Sequence, residues 1–196
     1  KVVDKPKKIS KINDISRHFK SIFKILGIDL TNPNLIDTPN RIAKMYVEEL
    51  FVGMNPATFP KITLFDNISH YNEMVIHNKI NMNSICAHHF MPFTGLVSIA
   101  YIPNKKIIGL SKLNRIVYYF SKRPQIQENL TIEIGRSLQK LVETEDVAVQ
   151  INAKHFCIIS RGIEDHGSET NTFFFEGKFK DKQYKNQFIN SNYDHE

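Results

Sequence analysis

Val147-Ala148-Val149-Gln150-Ile151-Asn152-Ala153-Lys154-His155-Phe156-Cys157-Ile158-Ile159-Ser160 is the stretch on which the fold turns. Strand side chains repeat every two residues. Val147, Val149, Ile151, Ala153, His155, Cys157 and Ile159 therefore share one face, and Arg161 continues it. That face runs from core aliphatics into an imidazole, a thiol and a guanidinium. The pattern predicts a strand over 147–160 with a buried inner face and a polar pocket at its end.

A sheet with one apolar face needs helices to cover it. Two candidates precede the strand. Gly109-Leu110-Ser111 leads into a helix capped by Ser111, with Leu113, Ile116, Val117 and Phe120 as its stripe. Pro124 opens the next, with Ile126, Leu130, Ile134, Leu138 and Leu141. Further upstream, Tyr71–Ile80 and Met91–Ile102 read as strands, and Asn104-Lys105-Lys106 as a turn. Downstream, Thr172–Phe179 reads as one more strand. Two helices open the chain. One spans Ile9 to Leu26, along Ile12, Ile15, Phe19, Ile22 and Leu26, and stops at Gly27. The other starts at Thr38-Pro39, with Thr38 as N-cap, and runs through Ile42, Met45, Tyr46 and Leu50 to Gly53. The order predicts an α+β fold: an antiparallel sheet with two helices on one face, with a helical N-terminal region over 1–60 and the α+β domain over 61–196. Its sheet edges invite cover by an oligomer.

Composition narrows the function. The 196 residues are 41% hydrophobic and 23% charged, ordinary for a globular protein. No apolar run reaches the roughly 18 residues of a bilayer span, and no secretory leader is visible. Two cysteines make no disulfide framework. A reducing, cytoplasmic setting is expected. The net charge of +6 favours anionic partners, although much of the excess is lysine near the two ends.

Both cysteines sit beside histidines, in Ser84-Ile85-Cys86-Ala87-His88-His89 and in Lys154-His155-Phe156-Cys157. Thiolate and imidazole are the usual zinc ligands, and three of them with one open position make a catalytic centre. Cys86-x-x-His89 lets one turn bring two side chains to one ion. His88 and His155 are left over. Both as ligands would close the shell; both free would serve proton transfer beside an activated water.

The segment 109–115 carries a second signal. A helix start suits phosphate, and Ser111, Lys112 and Arg115 add a hydroxyl and two charges. Arg161, and Arg41 with Lys44 on the early helix, are further basic groups that would suit a polyanion. Glu128, in the first turn after Pro124, either answers the helix dipole or accepts the paired N–H donors of a guanine edge.

Taken together these motifs resemble the GTP cyclohydrolase I family. The match is carried by Ser84–His89, by Gly109-Leu110-Ser111-Lys112 with Arg115, by Arg123-Pro124-Gln125 with Gln127-Glu128, and by His155-x-Cys157 followed by Arg161-Gly162. The resemblance implies the tunnelling fold, assembled around a barrel into a toroidal homodecamer with active sites between subunits. It implies conversion of GTP and water to 7,8-dihydroneopterin triphosphate and formate, the first step of a pterin or folate-type pathway. By position, Cys86, His89 and Cys157 would bind Zn2+, which activates the water that attacks C8. His155 would handle the proton at N7, and His88 with Ser111 would assist ribose opening. Glu128, with Gln127 and the Leu110 backbone, would hold guanine. Arg41, Lys44, Lys112, Arg115 and Arg161 would surround the triphosphate, some from neighbouring subunits. No membrane or nucleic-acid partner is expected. One departure stands out: the family usually has Glu where this chain has Ala87. A non-catalytic GTP binder or an impaired homologue is the alternative expectation.

Overall fold

A computed structural model describes residues 8–192. They fall into two compact units, divided between Met54 and Asn55.

The first unit is helical. α1 spans Lys8–Ile25 and α2 spans Thr38–Met45, continued by a π-helical turn over Tyr46–Leu50. Asp37, not Thr38, holds the N-cap position of α2, without a side-chain cap bond; Pro39 occupies the first turn, where its missing N–H costs nothing. Phe19 of α1 meets Tyr46, with ring centroids 5.7 Å apart, and Tyr46 stacks on Phe51 at 5.3 Å. The stripe read from sequence is only partly used within this unit. Ile12 is buried, whereas Ile22 and Leu26 are 43% and 67% exposed.

The second unit is α+β. Its strands are β1 Leu64–Asp66, β2 Val75–Cys86, β3 Pro92–Tyr101, β4 Lys106–Ile108, β5 Pro124–Gln125, β6 Val147–His155 and β7 Thr170–Phe175. The helices are α3 Leu110–Ser121, α4 Gln127–Val142, the single turn α5 Phe156–Ile159, and α6 Lys182–Asn190. The main sheet has the order β5-β2-β3-β6-β7, and β1 pairs with β4 in a small separate ribbon. All main-sheet pairings are antiparallel except β5 with β2.

Leu113, Ile116 and Val117 of α3 and Leu130, Ile134, Leu138 and Val142 of α4 are fully buried against one face of this sheet. Each such side chain contributes about 1.5–3 kcal/mol by leaving water. The facing strand residues alternate as expected: Val97, Ile99 and Tyr101 from β3, and Val147, Val149 and Ile151 from β6. The opposite face carries a smaller core, where Phe179 and Phe188 cover Ala100, Ile102 and Ala148. Residues 173–175 divide between the two faces. Phe174 enters the main core, while Phe175 turns to Phe188 with centroids 6.1 Å apart.

Several boundaries differ from the sequence reading. The strand expected over Tyr71–Ile80 begins at Val75 and runs on to Cys86. Tyr71 is held in a loop instead: its N–H donates to Asn67 Oδ1 at 2.9 Å, and Asn67 Nδ2 donates back to Tyr71 O at 2.8 Å. Ser111 does not cap α3, since Gly109 holds that position with no side-chain bond. Pro124 opens no helix; it lies in β5, and α4 starts three residues later. The last strand runs 170–175 rather than 172–179, and α6 had no sequence signal.

Gly135 of α4 exists for Phe174. A Cβ there would lie 2.7 Å from Phe174 Cγ, well inside contact distance. Gly135→Ala is expected to destabilise the fold by about 1 kcal/mol net. Overpacking costs about 1–3 kcal/mol, and better helix propensity returns about 1 kcal/mol. Urea unfolding midpoints would measure it.

Candidate metal centre

β2 and β3 form a hairpin whose tip is Cys86-Ala87-His88-His89-Phe90-Met91. Cys86 N–H donates to Met91 O at 2.8 Å, and Phe90 N–H donates to Cys86 O at 2.9 Å. Phe90 takes a left-handed φ of 55° to close the turn. From the side, Ala87 N–H donates to Gln125 O at 2.9 Å, so β5 clamps the tip. Below it, buried Ser84 donates to Ser121 O at 2.7 Å. The tip is thus pinned to the end of α3 and to the start of the α4 connection.

The second contribution comes from β6. β3 pairs with both neighbours, so the β2–β3 tip and the end of β6 lie at the same end of the sheet. Phe93 pairs with His155 in register, and their rings stack at 4.6 Å and 1°. The strand ends at His155, earlier than the alternation predicted, and Cys157 sits in the helical turn α5. Period-two reasoning therefore fails for Cys157, yet its thiol arrives at the expected place. The donor atoms of Cys86, His89 and Cys157 all lie within 4.8 Å of one another.

These residues fit a zinc ion. Ligand distances of about 2.0–2.3 Å around a tetrahedral centre bring donor atoms to within about 4 Å of one another, close to the spacing seen. Two free thiols and an imidazole are the donor set that zinc favours. Burial pushes the Cys157 thiol up, and the neighbouring Cys86 pushes it further; Arg161 acts the other way. A cation at this point would reverse that balance.

Around the three donors stand the other candidates. His88 Nδ1 lies 3.8 Å from Cys86 Sγ. His155 is half-buried, and its desolvation lowers its pKa, opposed by the charge of Glu128. His155 Nε2 meets Gln127 Oε1 at 2.7 Å. Gln127, expected at a guanine edge, is 2% exposed, and its amide is engaged inside the chain. Arg161 and Glu128 are exposed and close enough to act on Cys157 and His155.

Leu110, Ser111, Lys112 and Arg115 are not part of this cluster. α3 runs alongside β2, with Ser121 beside Ser84 and Asn114 bonded to His77. At 1.5 Å rise per residue, Ser111 lies about 15 Å along the helix from Ser121. One chain therefore separates the basic helix start from the metal end. Arg41 and Lys44 are exposed on α2 of the first unit. Phe93, Thr131 and Thr172 were not read as site residues from the sequence; period-two alternation along β3 would have put Phe93 on the buried face with Val97, Ile99 and Tyr101.

Comparison with known proteins bears on the same residues. Residues 15–192 match the family described as GTP cyclohydrolase I. A GTP cyclohydrolase 1 of Flavobacterium johnsoniae is 50% identical over 179 residues, covering 91% of this chain and 80% of that protein. The enzyme of Wigglesworthia glossinidia brevipalpis is 51% identical, over 91% and 83% of the two chains. That of Haemophilus ducreyi is 46% identical, over 93% and 84%. With half its residues shared across nearly its whole length, and with two thiols and an imidazole gathered from a hairpin tip and a strand end some 70 positions apart, this chain belongs to the GTP cyclohydrolase I family.

Proposed function

We propose that this chain converts GTP and water to 7,8-dihydroneopterin triphosphate and formate, as a zinc-dependent enzyme. The convergence of Cys86, His89 and Cys157 beside a half-buried His155 is the observation that carries this reading. Bound zinc supplies the Lewis acidity that makes water nucleophilic at neutral pH. His155, kept neutral by burial, is suited to accept a proton next to the metal and return it. His88 is free to assist ribose opening, and exposed Glu128 to accept the guanine N1–H and N2–H donors. The first turn of α3 carries N–H groups that no side chain caps, and Lys112 with Arg115 stands beside them to neutralise a triphosphate. Arg161 adds a further charge, and Arg41 with Lys44 remain basic candidates carried by the first unit. A reducing, cytoplasmic setting keeps both thiols available, and no described helix is long and apolar enough to cross a membrane. Zinc-loaded protein with GTP should release formate and develop pteridine fluorescence. Neither signal from fully metallated protein would overturn the reading.

The same reading assigns a tunnelling fold closed into a ring, a homodecamer of toroidal shape. Two observations support it. The outer edge of β2 before Ile85 and the outer edge of β7 have no strand neighbour among the described residues. Joining β7 of one copy to β2 of the next would satisfy both by one repeated head-to-tail contact, the kind of contact from which rings are built. The separation of Ser111 and Lys112 from Cys86 likewise calls for the α3 start of a second copy. Lys112→Ala should raise the KM for GTP about 10–100-fold, the loss of a charged hydrogen bond, with zinc content unchanged. Mixing that variant with a metal-deficient one should restore roughly a quarter of the sites, since each site draws on two copies. Steady-state kinetics before and after subunit exchange would read both effects.

A further inference from the structure

His155 and Gln127 share a hydrogen bond whose polarity the surrounding backbone decides. Gln127 Nε2 lies 3.1 Å from Ile151 O, 2.8 Å from Thr170 O and 3.1 Å from Thr172 Oγ1. Carbonyl oxygens only accept. The NH2 end of the amide must therefore face them, which removes the ambiguity that usually attends a glutamine flip. Oε1 is thereby turned towards His155 Nε2, 2.7 Å away. An amide oxygen also only accepts, so Nε2 must carry the hydrogen. A neutral imidazole has one such hydrogen, and Nδ1 is left with its lone pair.

The neighbours hold this arrangement. Thr131 Oγ1 donates to Gln127 O at 2.8 Å and stands 2.7 Å from Thr172 Oγ1. The Thr172 hydroxyl then donates to Thr131, and its lone pairs remain for the Gln127 amide. Phe93 lies flat on one face of the His155 ring at 4.6 Å. A half-turn of that ring would set a carbon against Gln127 Oε1 and forfeit the bond.

We infer that Gln127 is a positioning residue that locks the His155 ring as its Nε2–H tautomer, which leaves Nδ1, with its lone pair, as the ring atom presented to a bound substrate. The catalytic half of this inference rests on the cyclohydrolase reading of the site; the tautomer lock does not. Tautomer selection through the second ring nitrogen is a common way to aim an imidazole.

Long-range proton–nitrogen NMR of zinc-loaded protein with 15N-labelled histidine tests it, with the His155 signals assigned by their loss in a His155→Phe variant. The expected spectrum has a protonated Nε2 and an unprotonated Nδ1 above the titration of the ring. The reverse pattern, or two averaged nitrogens, would overturn the lock; this measurement needs no Gln127 variant. Gln127→Met keeps the length and removes the amide. It should average the two nitrogens and lower kcat about 10–100-fold, part of the general acid–base contribution, with the KM for GTP nearly unchanged. An unaltered spectrum with a raised KM would mean that Gln127 serves the substrate and not His155. A locked tautomer in a protein that never turns over GTP would leave the lock standing and sink the cyclohydrolase reading alone.

Discussion

Cys157→Ala is expected to abolish tight zinc binding and to lower GTP turnover by more than about 100-fold. The estimate is a lower bound, since losing even an outer partner of a metal ligand costs about 10–100-fold. The reason lies in where Cys157 comes from. Cys86 and His89 share one hairpin tip, clamped by bonds to Met91 and Gln125. That tip can survive without metal. Cys157 is the only donor of the three supplied by β6 and its following turn. Without it two ligands remain, too few to hold the ion against water and chelators. The fold should persist, because Cys157 only borders the main core. Zinc analysis after dialysis, a formate assay and far-UV circular dichroism separate these effects. A variant that keeps one zinc per chain and wild-type turnover would remove Cys157 from the metal centre.

Gly95→Ala should unfold or severely weaken the protein, by about 3 kcal/mol or more, at or beyond the upper end of overpacking costs. Gly95 lies in β3 opposite Ala153 of β6. An added Cβ would be 2.6 Å from Ala153 Cα, and nearer still to Asn152 O. These are backbone atoms of a central strand and cannot swing aside as a side-chain tip can. Relief would require parting β3 from β6, two residues from the Phe93–His155 pair. Thermal unfolding would show a large drop in Tm, and residual folded protein should bind zinc less tightly. A Tm within a degree or two of wild type would mean that the sheet yields more easily than its packing indicates. Gly135 offers the contrast: the atoms crowded there belong to the Phe174 ring, which can shift.

Much of the second unit was legible because its signals are local and periodic. Val149, Ile151 and Ala153 announced an inward face by alternation, and Leu130, Ile134 and Leu138 a helical stripe; all six are buried. Errors gathered where local chemistry lost to a tertiary partner. Pro124 is a good first residue for a helix, but pairing with Ile85 draws it into β5. Ser111 is a good cap, yet Gly109 reaches that position first, its N–H held by Thr63 O at 3.1 Å. Phe156-Cys157-Ile158-Ile159 has strand composition and forms a helical turn. α6 carries lysines, asparagines and glutamines with few apolar residues, so nothing in its pattern foretold that Phe188 would be fully buried.

The amino-acid order by itself determined the chemistry on offer: two thiols beside histidines, a basic helix start, and the alternation that makes β6 a buried strand. Those are properties of neighbours along the chain, and side-chain type with a period of two or 3.6 is enough to state them. Tertiary structure alone decided that Cys86 and Cys157, 71 positions apart, share one end of a sheet, and that the start of α3 does not. It also turned the Gln127 amide by placing two carbonyls behind it. Strand pairing and helix direction set distances and hydrogen-bond polarity between residues remote in sequence, and no local pattern contains them.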